Sequence, residues 1–125
     1  MNFEKFTHRS QEMIHKSQAL ALELKQQVIE TGHLLDVLIN EDKAVVGYLL
    51  HKNNLQVPII AKGVRAIIES YPRVLGVASA PYASRDFQKF LTRAIKIQAE
   101  LKDQYVSLEV LFLAILAGDD AAARF

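Results

Sequence analysis

The side chains that could ligate a metal in this 125-residue chain are four histidines, His8, His15, His33 and His51, and a scatter of carboxylates, since cysteine is absent. A zinc site built on one helix wants two histidines four apart around a glutamate, and that spacing does not occur. His8 and His15 fall two helical turns apart on one face, which reads better as an ordinary solvated face than as a zinc pair. Serine, histidine and acids are all present, yet nothing resembles the sharp strand-to-helix turn that exposes a catalytic serine. None of the five glycines precedes the Gly-Lys-Ser/Thr run of a phosphate-binding loop. The chain by itself is therefore expected not to be an enzyme and to carry no cofactor or metal.

Two carboxylates have a more specific setting. Glu109 falls in the first turn after Ser107, a good helix cap, where the positive end of the helix dipole stabilises a negative charge. Asp103 falls in the tight connection before that helix. Each has a structural reading without any function, as a dipole-stabilised charge and a solvated turn residue. Near them in the pattern, Phe3, Phe6, Phe87, Phe90 and Leu91 read by default as core. Two antiparallel helical pairs nevertheless offer too few faces to bury all of them, and Phe87 and Phe90 project about 60° apart at roughly 100° per residue. Phe87 or Phe90 is accordingly expected to stay partly exposed, and an apolar patch rimmed by charge marks a protein-binding site.

The elements that must position these groups come in two copies. Glu23-Leu24-Lys25-Gln26-Gln27-Val28-Ile29 recurs as Glu100-Leu101-Lys102-Asp103-Gln104-Tyr105-Val106, so that Leu24 and Leu101 lie 77 positions apart (101 − 24). At that constant offset Ile14 meets Leu91, Leu34 meets Leu111 and Val37 meets Ala114. Repetition on this scale means one supersecondary unit packed against its own copy, because a single unit cannot bury its apolar face. One domain over residues 1–125 is expected, with repeat one at 1–72, a linker at 73–83 and repeat two at 84–125. Phe125 falls opposite Tyr48, so the second copy is truncated and the chain reads as a piece of a longer protein.

Thr7 caps a first helix to about Lys25, Thr31 opens a second over Gly32 to Ile39, and a third covers Ala44 to His51. Pro58 sits in the first turn of a fourth helix that ends at Tyr71-Pro72. Ser84 caps a long helix to Lys102. Ser107 caps Leu108 to Ala117, which is apolar nearly all round and should be the buried centre of the second half. Asp119-Asp120 starts a last, incomplete helix. No stretch alternates strictly enough for a strand, and the fold class is all-α, two pseudo-symmetric helical repeats.

Bulk properties narrow the partners. A net charge of +1 with acids and bases interleaved gives no footprint for nucleic acid or an anionic membrane. The longest apolar run, Val110 to Ala117, is far too short to span a bilayer. The N-terminus lacks a signal-peptide pattern, and a cytoplasmic location is expected.

Met1-Asn2-Phe3-Glu4-Lys5-Phe6-Thr7, then Ala19-Leu20-Ala21, then Ile29-Glu30-Thr31-Gly32-His33-Leu34-Leu35, resembles the N-terminal repeat domain of the Clp ATPases, most closely the ClpB-type protein disaggregases. Tyr105-Val106-Ser107-Leu108-Glu109-Val110-Leu111 matches that family's second repeat. The resemblance covers the whole chain. It implies the mobile first domain of a homohexameric, ATP-driven machine, with ATP and Mg bound in later domains. Its partners would be exposed apolar segments of unfolded or aggregated polypeptides, and adaptor proteins. It also implies client-binding roles for Thr7, Asp103 and Glu109 and an apolar groove at Leu91 and Val110, with Phe87 and Phe90 beside it. The family pattern is broken at Arg93, where an apolar groove residue is expected, and at Gly32 and Val110, which interrupt its Glu-His pair. The sibling role, an adaptor-binding domain of a ClpA- or ClpC-like protease regulator, and a purely structural helical scaffold are the alternative readings.

Overall fold

The computed structural model describes residues 3–41, 43–52, 54–74 and 80–120. Helices α1 (His8–Glu23), α2 (Thr31–Glu41), α3 (Lys43–Lys52), α4 (Val57–Ser70), α5 (Arg85–Glu100) and α6 (Leu108–Leu116) follow one another, with strands β1 (Val28–Ile29) and β2 (Tyr82–Ala83) between them. The helix starts lie where the capping residues place them. Thr7 accepts from the Ser10 N–H, Ser84 from the Phe87 N–H and Ser107 from the Val110 N–H, each satisfying a donor that the first turn leaves free. Asp119 and Asp120 are not helical, and the rest of the helix expected there lies outside the described residues, as does 75–79 of the linker.

The two copies repeat each other's turns as well as their helices. α1 and α5 both end in a lysine with left-handed backbone, Lys25 at φ 57° and Lys102 at φ 59°. After them the Gln26 N–H donates to the Ala21 carbonyl at 2.8 Å and the Asp103 N–H to the Gln98 carbonyl at 3.1 Å, closing the same six-residue cap. Leu34 and Leu111, equivalent at the offset, are both fully buried.

The all-α class holds, but the expectation of no strand needs correction. A parallel two-stranded sheet pairs Val28 with Tyr82 and Ile29 with Ala83, and an isolated parallel bridge pairs Phe6 with Val106. At the repeat offset Phe6 is the equivalent of Ala83, and Ile29 of Val106. The segment entering the first helix of each copy therefore pairs with the segment entering the second helix of the other. These pairings are too short to leave an alternating pattern in the sequence, and so hydrophobic periodicity could not reveal them.

The buried centre of the whole domain is α2, in the first half. α2 packs against α1, α3, α4, α5 and α6, and every residue from Thr31 to Ile39 is buried. α6, expected to be the buried centre of the second half, buries Val110, Leu111, Phe112, Ala114 and Ile115 but leaves Leu113 45% and Leu116 47% exposed. The equivalent of Leu113 in α2 is Asp36, which is buried with Arg65 of α4 3.3 Å away. No element among the described residues covers α6 as α4 covers α2.

Burying α2 brings His33 inside. The Glu30 N–H donates to His33 Nδ1 at 2.9 Å, so Nε2 carries the proton and donates to Gln26 Oε1 at 2.5 Å. The Gln26 amide in turn donates to the Ile68 carbonyl near the end of α4 at 2.8 Å. Burial lowers the His33 pKa to about 4 and keeps the ring neutral. Tyr71 lies 5.2 Å from the imidazole, and its phenolic oxygen accepts from the Gly32 N–H. A Cβ on Gly32 would stand 2.5 Å from that oxygen, so glycine is needed here for close approach.

Two measurements check this centre. Between pH 6.5 and 4 the unfolded chain protonates His33 and the folded chain does not, so stability falls as pH drops through that window. Glu30 and Asp36, whose carboxyls burial pushes up, bind protons first in the folded state and oppose the trend only as pH approaches the carboxylate range. Urea unfolding should show a loss of about 2 kcal/mol between pH 7 and pH 5, largely abolished in His33→Gln. Equal stability at the two pH values would refute a buried neutral imidazole. Gly32→Ala should cost about 1–2 kcal/mol, since the clash with Tyr71 outweighs the helix-propensity gain. Most of that should return in Gly32→Ala/Tyr71→Phe; a single variant as stable as the parent would show that Tyr71 gives way freely.

Candidate functional site

The Phe6–Val106 bridge is made by groups that the two repeats hold out toward each other. The Thr7 N–H donates to the Val106 carbonyl at 3.1 Å, and Ser10 Oγ donates to the same oxygen at 2.9 Å. The Val106 N–H returns a bond to the Lys5 carbonyl at 2.6 Å, and Gln11 Nε2 donates to the Phe6 carbonyl at 3.1 Å. Thr7 thus caps α1 with its side chain and joins the repeats with its backbone. Asp103 and Glu109 flank the bridge along the chain, one in the turn before Val106 and the other in the first turn of α6. Both are exposed. Thr7, Asp103 and Glu109 were expected to lie together; the backbone joins Thr7 to Val106, which stands between the other two in the chain.

Beside the bridge a cleft of about 490 Å³ opens between Phe3, Glu4, Phe6, Thr7, His8, Gln11 and Tyr105. Phe3 stands edge-on to Phe6, ring centres 5.4 Å apart, and edge-on to His15 at 6.3 Å. Phe6 is buried as the floor, whereas Tyr105 on the rim is 46% exposed. A second depression of about 390 Å³ shares His8 and Gln11 with the first and runs on along α1 past His15 and Lys16 to Ala19. Its edge is charged: Glu12 pairs with Arg9 at 3.2 Å and Lys16 at 3.4 Å, and Lys16 reaches Glu41 at 3.0 Å. These pairs are solvent-exposed and each contributes little stability. His8 and His15 are walls of the groove, and among the described residues no group of three or more potential ligands is placed to hold a metal.

Four expected groove residues lie elsewhere than the surface. Phe87 and Phe90 are both 0% exposed, contrary to the expectation that one would be partly free. α5 packs against α2 and β2 as well as α6, which supplies the faces that two helical pairs alone would lack. The two rings also pack against each other at 5.3 Å. Leu91 and Val110 are buried as well, at 9% and 1%, because they stand at the places of Ile14 and His33 on the inward sides of their helices. Arg93 is turned from the groove toward the end of α6. Its Nε donates to the Ala114 carbonyl at 2.8 Å, one of the acceptors the last turn leaves free, and its guanidinium lies 6.0 Å from the Phe90 ring.

Tyr105 and Gln11 are the surface groups that reasoning from sequence did not single out, whereas His8 and His15, read there as an ordinary solvated helix face, line the groove. Tyr105 carried a signal, since a tyrosine stands where the first copy has Val28, which is half-buried.

Leu91→Glu should unfold or destabilise the chain by about 3 kcal/mol, and Phe87→Ala by about 3–5 kcal/mol, measured by urea or thermal denaturation. A Leu91→Glu variant that melts with the parent would return Leu91 to the surface.

A family model for the Clp repeat (R) N-terminal domain matches residues 5–125. The chaperone protein ClpB of Clostridium tetani is similar to the chain, 30% identical over 127 aligned positions that cover 99% of this chain and 15% of that protein. The chain therefore spans a small part of the length of that relative. Among solved structures, the Hsp104 N-terminal domain from Candida albicans is similar with a TM-score of 0.83 at 22% identity, over 92% of this chain and 75% of that one. A ClpV N-domain in complex with a VipB peptide has a TM-score of 0.72 at 24% identity, over 90% of this chain and 68% of that one. Two linked repeats, their capped helices and a family match running from Lys5 to the last residue make this chain a member of the Clp repeat N-terminal domain family.

Proposed function

We propose that the chain is the client-capturing domain of a ClpB-like, ATP-driven chaperone that unfolds and disaggregates proteins, and that capture takes place in the cleft beside the Phe6–Val106 bridge. The observation that carries this reading is the aromatic cleft itself, with a buried ring as floor, an exposed Tyr105 on the rim, and Glu4, Thr7, His8 and Gln11 completing the lining. Such a surface takes apolar side chains from water and leaves backbone amides of an extended segment free to meet polar groups. Glu4 in the lining, with exposed Asp103 and Glu109 on either side of Val106 in the chain, favours segments that are not strongly acidic. Leu91, Val110, Phe87 and Phe90 serve by holding α5 and α6 in place beneath it. The peptide complex formed by the ClpV N-domain supports capture of a polypeptide segment by this fold. ATP and Mg would act in later domains of a homohexameric parent.

Burial gains about 25 cal/mol per Å² of apolar surface before association costs, so a cleft of this size binds loosely. Loose binding lets a segment be handed on, and several copies on one ring raise avidity without new contacts.

Binding of a permanently unfolded model client, followed by fluorescence anisotropy, should weaken about tenfold in Tyr105→Asp with helicity unchanged, because an exposed aromatic anchor is lost without cost to the core. Asp103→Ala and Glu109→Ala should each change affinity by a few-fold. Undiminished binding in Tyr105→Asp would place capture elsewhere. A Tyr105-dependent interaction with a folded adaptor, and none with the unfolded client, would favour the adaptor-binding role.

A further inference from the structure

The internal symmetry makes a second seam, and where the first cleft is lined by the exposed Glu4 the second is lined by a carboxylate with a buried oxygen. Beside the β1–β2 pairing, about 400 Å³ opens between Val28, Glu30, Tyr71, Pro72, Val74 and Tyr82. Its outer wall is fixed by the Val74 N–H, which donates to the Lys25 carbonyl at 2.8 Å. Tyr82 stands 61% exposed at the mouth, and Tyr71 is held deeper by Gly32 and His33. Glu30 is the only charged side chain lining the cleft among the described residues. Its Oε1 is buried without a hydrogen-bond partner, while the Ser84 hydroxyl hydrogen-bonds to the carboxylate. Glu30 makes no ion pair among the described residues, and Asp86 and Asp120 add negative potential at this end of the molecule. Burial and these neighbours both push the Glu30 carboxyl up, which a bound cation would reverse.

We propose that this second cleft receives a basic side chain, arginine or lysine, of an extended polypeptide. Glu30 supplies the counter-charge, and the faces of Tyr71 and Tyr82 supply the walls on which a cation is attracted by the ring quadrupole. Neutral apolar segments gain nothing from the carboxylate, and acidic ones are repelled. The inference stands apart from the capture proposed at the first seam, because it rests on different residues and is read at different positions.

The test is an amide-resonance titration of the 125-residue chain with the tripeptide amide Ac-Gly-Arg-Gly, against the same peptide carrying citrulline, the neutral isostere of arginine. The arginine peptide should shift the amides of Val28, Glu30 and Tyr82, and the citrulline peptide should leave them in place. Glu30→Gln, which keeps the shape and the Ser84 contact, should weaken binding roughly fivefold or more, and raised salt should weaken it further. Tyr82→Ala, at an exposed position that does not endanger folding, should weaken it several-fold. Equal shifts with both peptides, shifts confined to Phe6 and Tyr105, or unchanged affinity in both variants would overturn the assignment.

Discussion

Two carbonyl groups hold the halves of this domain together. The Val106 oxygen accepts from Thr7 and the Ile29 oxygen from Ser84, both at 3.1 Å, and each donor is the capping residue of the other repeat's first helix. A capping residue is extended, so its backbone N–H is not needed by its own helix and is free to pair outward. Each repeat therefore joins its copy with a group that its own helix start leaves over. The arrangement also fixes the entry of four helices at once, since Phe6 and Ala83 lead into α1 and α5, and Ile29 and Val106 lead into α2 and α6. Breaking either pairing would release two helix starts and the cleft beside them.

Because the clefts lie beside the pairings, they come in a related pair whose chemistry is set by substitutions between the copies. Tyr105 stands where the first copy has Val28, and Tyr82 where the opening segment has Lys5. At the first seam these choices leave an aromatic floor and a mixed polar rim. At the second they leave two tyrosines around one carboxylate. Glu30 itself occupies the place of Ser107, so one copy has a capping hydroxyl where the other has a charge.

Helix positions were legible from local chemistry alone. Thr7, Ser84 and Ser107 announce three starts, Pro58 sits inside a fourth, and the repeat itself was plain from one constant offset. What stayed hidden depends on contacts between the copies. Two-residue strands leave no alternation to read, and the depth of Phe87 and Phe90 follows from α2 and β2 packing on α5, which no local pattern shows. The apolar character of α6 suggested the centre of its own half, yet burial is decided by how many neighbours an element has, and α2, which buries Thr31, His33 and Asp36, has more. The join between Thr7 and the turn before α6 was legible, but the lining of the cleft beside it was not. Reasoning from apolar residues selected those that are buried for that very reason, and missed Tyr105, whose hydroxyl suits it to a surface.

The same logic explains why α2 can carry His33 and Asp36 through the centre. Buried polar groups are tolerated when every donor and acceptor finds a partner. His33 bridges the Glu30 N–H and the Gln26 amide, and Gln26 passes the connection to the Ile68 carbonyl at the end of α4. In the second copy Val110 replaces His33 and Asp103 replaces Gln26. The two changes belong together, because without the imidazole a buried glutamine would lose its acceptor's donor, and the turn residue is instead exposed as a carboxylate. One relay of three side-chain bonds thus separates the copies: where it is present the turn is drawn inward and packed under Tyr71, and where it is absent the turn faces solvent and offers Asp103 and Tyr105 to a partner.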